Sequence, residues 1–291
     1  MSTRGAIVIT GASTGIGAAA AEALARDGFI VFAGVRSDAD AVRIATLHPN
    51  LRPLRLEVTD RQAIAAAAET VAASGLPLRG LVNNAGIAIG GPLEFLPVDE
   101  LRRIFEINVF GGLAVSQAFL PQLRATRGRL VFVGSISGRL AVPFVAPYSA
   151  SKFALRALAD AMRVELQRTG VAVALIEAPS VKTPIWAKGL ASRDALLASL
   201  PPEALEHYGD DLEMLFEQTE REGRGALPVG IVTRAIRHAL TAPKPRANYL
   251  VGFPARAGSI VAMLPTALRD RALGTKERLA KTSVKTSVRK G

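Results

Sequence analysis

The stretch Ala6-Ile7-Val8-Ile9-Thr10-Gly11-Ala12-Ser13-Thr14-Gly15-Ile16-Gly17 decides the fold. A short apolar run leads into a turn holding three glycines, and an Ala-rich segment of helical character follows. Gly11, Gly15 and Gly17 permit a tight turn, close approach of backbone to a phosphate, and close packing of helix on strand. Ser13, Thr14 and Ile16 fall beside them, at a helix N-terminus that faces anions. The spacing is G-x-x-x-G-x-G, and at the first strand-to-helix junction of a β/α chain it predicts nucleotide binding.

Working outward, strand-like runs recur at 29–35, 54–58, 80–83, 130–134 and 171–176, separated by amphipathic helical stretches. This alternation predicts an α/β fold, a doubly wound parallel sheet of Rossmann type with helices on both faces. Residues 98–124 and 150–169 read as the two largest helices. Between 183 and 225 the rhythm breaks at Pro201-Pro202 and leucines accumulate, which marks a lid. A helix to about Leu240 and a last strand at 249–252 complete one domain spanning 1–273, and 274–291 form a basic tail.

Chemistry concentrates further along. Ser135 ends the apolar run Leu130-Val131-Phe132-Val133-Gly134, so a buried strand delivers its hydroxyl to the carboxyl end of the sheet, where open α/β sheets bind ligands. Tyr148 and Lys152 stand four apart in Tyr148-Ser149-Ala150-Ser151-Lys152 and share a face once the segment is helical. An isolated phenol titrates near pH ~10, and a nearby ammonium favours the phenolate, which makes the pair a usable proton donor and acceptor.

The glycine turn, Asn83-Asn84-Ala85-Gly86 after the fourth strand, Asn108 in a long helix, Ser135, Tyr148 and Lys152 occur in the order and spacing of the short-chain dehydrogenase/reductase family, which the chain resembles over residues 4–186. The resemblance implies that Ser135 polarises a carbonyl oxygen and Tyr148 passes the proton. It implies that Lys152 holds the nicotinamide ribose and lowers the Tyr148 pKa, and that Asn108 keeps a helix kink and a water for proton relay. Asn83 and Ala85 would support the adenosine side of the cofactor, with Asn84 and Gly86 in the same turn. Gly90-Gly91-Pro92-Leu93-Glu94 and Phe105-Glu106-Ile107-Asn108-Val109-Phe110-Gly111 are similar to the branch containing 17β-hydroxysteroid and retinol dehydrogenases. That branch implies a large apolar alcohol or ketone, with Val142, Phe144 and Trp186 as pocket-lining candidates.

Cofactor choice turns on Gly34-Val35-Arg36-Ser37 at the end of the second strand. An acid there would hold the ribose 2′-OH of NAD; Val35 takes that place and Arg36 follows, so NADP is expected in preference to NAD. A solvated strand-end charge is the alternative reading of Arg36. Two departures from the family pattern stand out. Pro179 replaces an expected Gly on the nicotinamide side, where Val181 and Thr183 also lie, and Pro fixes φ and removes a donor. Glu57, beside Val58, replaces an Asp near adenine.

The 291 residues contain no Cys, which excludes disulfides and thiolate chemistry and fits a reducing, cytoplasmic setting. His48, His207 and His238 are scattered as surface or helix-face residues, and no metal site is expected. No leader and no transmembrane stretch is expected. The net charge is +11, and the tail holds six basic residues against one acid from Lys276 to Lys290. It reads as a solvated segment, with weak contact to anionic lipid as the second reading and nucleic acid excluded for want of interleaved aromatics. Apolar residues on the two long helices, Phe105, Val109, Leu113, Phe119, Leu155, Leu158 and Met162, predict a homodimer or homotetramer. Two alternatives to the oxidoreductase of apolar substrates remain: a 3-oxoacyl carrier-protein reductase, and a catalytically idle NADP-binding sensor or scaffold.

Overall fold

The computed structural model describes residues 4–183 and 193–274. Seven parallel strands form one sheet in the order β3-β2-β1-β4-β5-β6-β7. They are β1 Ala6–Ile9, β2 Ile30–Val35, β3 Leu51–Arg55, β4 Leu78–Asn83, β5 Arg129–Ser135, β6 Ala172–Ala178 and β7 Asn248–Leu250. Because both faces are covered, central strands are apolar at successive positions, as in Ala6-Ile7-Val8-Ile9. Ile7 and Ile9 join Leu24, Val31 and Ile236 on one face; Val8 joins Phe32, Phe119, Phe132 and Leu155 on the other.

The helices on the first face include α1 Gly15–Arg26; α2 Asp38–Leu47 follows β2, and α3 Arg61–Ala73 lies on the second face. The expected helix over 98–124 is α4 Val98–Phe105, a π segment Glu106–Gly111 and α5 Gly112–Thr126. By length and composition this run is also the one stretch among the described residues that could cross a membrane. Its side chains Ile104, Val115, Phe119 and Leu123 are instead buried by the sheet and neighbouring helices. Next comes α6 Ala146–Glu165, then α7 Arg193–Ser199, α8 Pro202–Gly225, α9 Gly230–Thr241 and α10 Gly252–Ala262.

Several boundaries differ from expectation for identifiable reasons. The third strand lies three residues before its expected place and contains Pro53, tolerated because β3 is an edge strand. Leu56 and Val58 are buried after the chain has left the sheet. Pro147 sits in the first turn of α6, so that helix starts at Ala146, four residues ahead of the expected 150, and ends in a 3-10 turn, Gln167–Thr169. The last strand stops at Leu250, because Gly252, with φ 78°, opens α10. Of the seven apolar residues expected to face a symmetry mate, Val109, Phe119, Leu155 and Met162 are buried by their own chain.

The segment read as a lid has its described part, 193–225, in α7 and α8. Leu200, Ala204, Leu212 and Phe216 form a small core of its own, which packs on Phe95 of the loop after β4. Its base is closed by a parallel bridge between Val181 and Leu227, with Lys182 N donating to Leu227 O at 2.9 Å and Leu227 N to Ser180 O at 3.0 Å. Trp186 and the tail beyond Gly274 lie outside the described residues.

Candidate active site

The chain reverses direction across the sheet at β1 and β4, and the carboxyl ends of those strands open the crevice in which such sheets bind ligands. At the end of β1, Gly11 and Gly15 are left-handed, and a Cβ on Gly17 would overlap the Gly11 carbonyl oxygen and the Asn84 side chain. Thr14, the N-cap of α1, makes no side-chain capping bond, and the first turn of α1 carries no acid. Its leading amides are therefore available to an anion. The Thr10 hydroxyl accepts the amides of Asn84 and Ala85, each at 2.9 Å, and Asn84 Nδ2 donates to the carbonyls of Thr10 and Gly11, each at 3.0 Å. Glycine-only backbone beside an uncapped helix start fits a dinucleotide pyrophosphate. The Asn83 side chain turns to the core, where its Nδ2 donates to the buried Ser116 Oγ at 2.7 Å. Successive strand residues face opposite ways, so Asn83 and Asn84 divide between core and crevice.

Past β2, the exposed Arg36 guanidinium lies 3.7 Å from the Glu57 carboxylate. Glu57 also accepts the Thr59 amide at 3.3 Å and hydroxyl at 3.1 Å. Val58 is buried under Gly111 and offers backbone alone to this corner. Arg43, which sequence reasoning missed, reaches from α2 to the Ser13 carbonyl at 2.5 Å and to Asp40 at 2.7 Å. Its signal was its position in a helix capped by Ser37 next to Arg36. The Arg43 and Ser37 hydrogen bonds hold the Asp40 carboxyl below its ordinary pKa.

Ser135 closes β5, and its Oγ accepts the Ser137 amide at 3.1 Å. Burial raises the Tyr148 pKa, and the neighbouring Ser135 side chain opposes that rise. One turn on, the buried Lys152 Nζ lies 5.6 Å from the Tyr148 ring centre and donates to the Val133 carbonyl at 3.1 Å. Burial lowers its pKa to about 8. The polypeptide alone thus pushes both groups toward neutrality, and the expected lowering of the phenol by Lys152 is not found in it.

Asn108, inside the π segment, is buried. Its Oδ1 accepts the Ile87 amide at 2.8 Å, and its Nδ2 donates to the Ile87 carbonyl at 3.0 Å and to Ser151 Oγ at 2.9 Å. Ser151 in turn donates to the Tyr148 carbonyl at 2.8 Å, so an unexpected serine ties the π segment to the helix turn bearing Tyr148. Gly86 lies against Asn108 and Lys152.

On the far wall, Phe144 has φ 61°, an uncommon conformation for an aromatic residue, and its carbonyl accepts the Gly91 amide at 2.7 Å. Its ring meets Tyr208 of α8 edge-on with centroids 6.0 Å apart, and the Tyr208 hydroxyl donates to Glu94 at 2.7 Å. Val142 is partly buried in the same loop, while Thr183 stands beyond the bridge at Val181. Pro179 follows β6 directly, and that bridge pins the segment it leads into. Behind the site, the Glu177 carboxylate of β6 receives Arg139 in two bonds, 2.5 and 2.7 Å, and Arg156 at 3.3 Å. An acid within the buried run Leu175-Ile176-Glu177-Ala178 was the sequence signal for this network.

A family model described as short chain dehydrogenase matches residues 5–194. The chain is 35% identical over 254 residues to the NADPH-dependent 3-dehydrocapnine reductase of Ornithobacterium rhinotracheale, covering 84% of this chain and 87% of that protein. It is 34% identical over 283 residues to human retinol dehydrogenase 5, covering 92% and 87%. A short chain dehydrogenase of Burkholderia cenocepacia J2315, solved in complex with NADP, superposes with TM-score 0.72 at 27% identity, covering 93% of this chain and 98% of that one.

Proposed function

The chain belongs to the short-chain dehydrogenase family and is an NAD(P)-dependent oxidoreductase of alcohol and carbonyl groups; on that premise we propose that it interconverts a large apolar alcohol and ketone with NADP(H). The observation that carries the catalytic assignment is the placing of Lys152 Nζ 5.6 Å from the Tyr148 ring, one helical turn on, at the end of β5 where Ser135 stands. The nicotinamide, when bound, supplies or accepts the hydride. Ser135 donates to the substrate oxygen and polarises it. In reduction the Tyr148 hydroxyl gives that oxygen its proton, and in oxidation it takes the proton back. Lys152 holds the cofactor ribose and, once charged, favours the phenolate. Asn108 positions Tyr148 through Ser151.

NADP in preference to NAD is supported by Val35, which leaves the end of β2 without an acid, and by Arg36 and Arg43 beside it. An apolar substrate is supported by the helical cover, whose Leu196 and Leu197 pack with Phe95 near Phe144. A homodimer or homotetramer is the proposed assembly, now resting on the exposed Phe110 and Phe153 of the long helices. The test is Tyr148→Phe. It should bind NADPH like the wild type and lose ~10²–10⁴-fold in turnover of bulky ketones. A Phe variant keeping more than about a tenth of the rate would refute the assignment.

A further inference from the structure

Helix α10 is inverted in its use of side chains. Its inward face is small: Ala255 is buried, and a Cβ on Gly258 would come 2.8 Å from the Ile136 side chain. Its large residues point outward in steps of three and four, Phe253 (80% exposed), Arg256, Ile260 (62%) and Met263 (76%), with Leu268 exposed just beyond Pro265. Folding ordinarily buries such residues, and a contiguous apolar stripe on a surface marks an interaction face.

The charge around the stripe identifies what covers it. Beyond Glu222 the sequence holds fourteen Lys and Arg against only Asp270 and Glu277, a net +12, which leaves the rest of the chain close to neutral. Arg246 and Arg256 border a cavity of about 350 Å³ beside Phe253, and neither makes an ion pair among the described residues. A second copy seated on the Phe253 end of the stripe would bring Arg246 and Arg256 against the same two cations of its mate, which is repulsive. An anionic surface with an apolar interior satisfies both the side chains and the charge.

We infer that α10 is a membrane-surface element, which lays Phe253 and Ile260 into the headgroup region of an anionic bilayer while Arg246 and Arg256 beside them hold the phosphates. The active-site cover would then lie on a molecule docked at its source of apolar substrate, although the docking itself does not rest on the substrate reading.

The experiment is flotation of the full chain with vesicles of phosphatidylcholine alone and of phosphatidylcholine with about one third phosphatidylglycerol. The protein should float with the anionic vesicles only, and binding should weaken with salt. Phe253→Ser with Ile260→Ser should weaken binding at least about tenfold, with thermal stability and oxidoreductase activity unchanged. Because the chain has no cysteine, Ile260→Cys can carry one environment-sensitive fluorophore, whose emission should shift to the blue on anionic vesicles. No flotation, equal binding to both vesicles, or no emission shift would overturn the inference. So would a double variant that binds vesicles like the wild type but loses self-association, since a second copy would then be the occupant.

Discussion

Glu177→Gln should damage the enzyme without touching any group that meets substrate. Glu177 is 1% exposed and serves two cations: Arg139, four residues past Ser135, and Arg156, one turn past Lys152 on α6. A single carboxylate therefore fastens the serine loop and the tyrosine helix to β6, and its bonds to Arg139 raise that guanidinium's pKa. Removing one partner of a buried pair costs ~3–5 kcal/mol when the other charge is stranded. Here Arg139 and Arg156 keep 20% and 28% exposure, and Arg156 also has Asp160 at 3.6 Å, so both cations can regain water or a partner. We expect a loss near the lower bound, about 2–3 kcal/mol, in urea denaturation. Turnover should fall at least tenfold with the dissociation constant for NADPH unchanged, and Glu177→Asp should recover part of the loss. Stability within about 0.5 kcal/mol of wild type, the range of ordinary surface substitutions, together with full turnover, would refute the reasoning.

Arg36→Ala, or more sharply Val35→Asp, should move preference from NADPH toward NADH, by less than the ~1.5–3 kcal/mol of a charged hydrogen bond because Arg36 is exposed; dissociation constants for both cofactors check it. Lys152 has a folded pKa of about 8 against an ordinary 10.5, so between these values the unfolded chain binds more protons and the ligand-free protein should gain stability as pH rises. Lys152→Met should lack that gain in pH-dependent melting, and identical profiles would exclude a depressed Lys152. Replacing 193–225 with a Gly/Ser segment should abolish activity on large ketones while sparing NADPH binding. Hydrogen exchange over α8 should slow when cofactor and substrate are both present; equal protection with and without them would mark the cover as fixed core.

The sheet was legible because its signals are local. Apolar runs, glycine turns and helical spacing each occupy a few residues, and the turn at 11–17 sits where the sequence places it. Ser135, Tyr148 and Lys152 were legible for the same reason, since a strand end and a single helical turn set their positions. What escaped depends on contacts between distant segments. Nothing beside Asn83 reveals that its partner is Ser116, and nothing beside Ser151 reveals Asn108. Pro53 lies inside β3, a place that the edge position of that strand allows and that no neighbouring residue reveals. The Tyr148 and Lys152 titrations escaped because desolvation is set by everything packed around them, whereas the sequence displays only their spacing.

The bridge between Val181 and Leu227 separates two kinds of change available to descendants of this chain. The chain departs at Val181 and is tied again at Leu227, outside the seven strands, so the length and composition of what intervenes can drift while the strands keep their register. Loop closure grows only logarithmically with length, about 0.6 kcal/mol for each doubling, so even a large insertion would leave the cofactor crevice standing. Selection for a new substrate can therefore act on this excursion alone, and exchange of the excursion between homologues is a route by which one reductive chemistry becomes many.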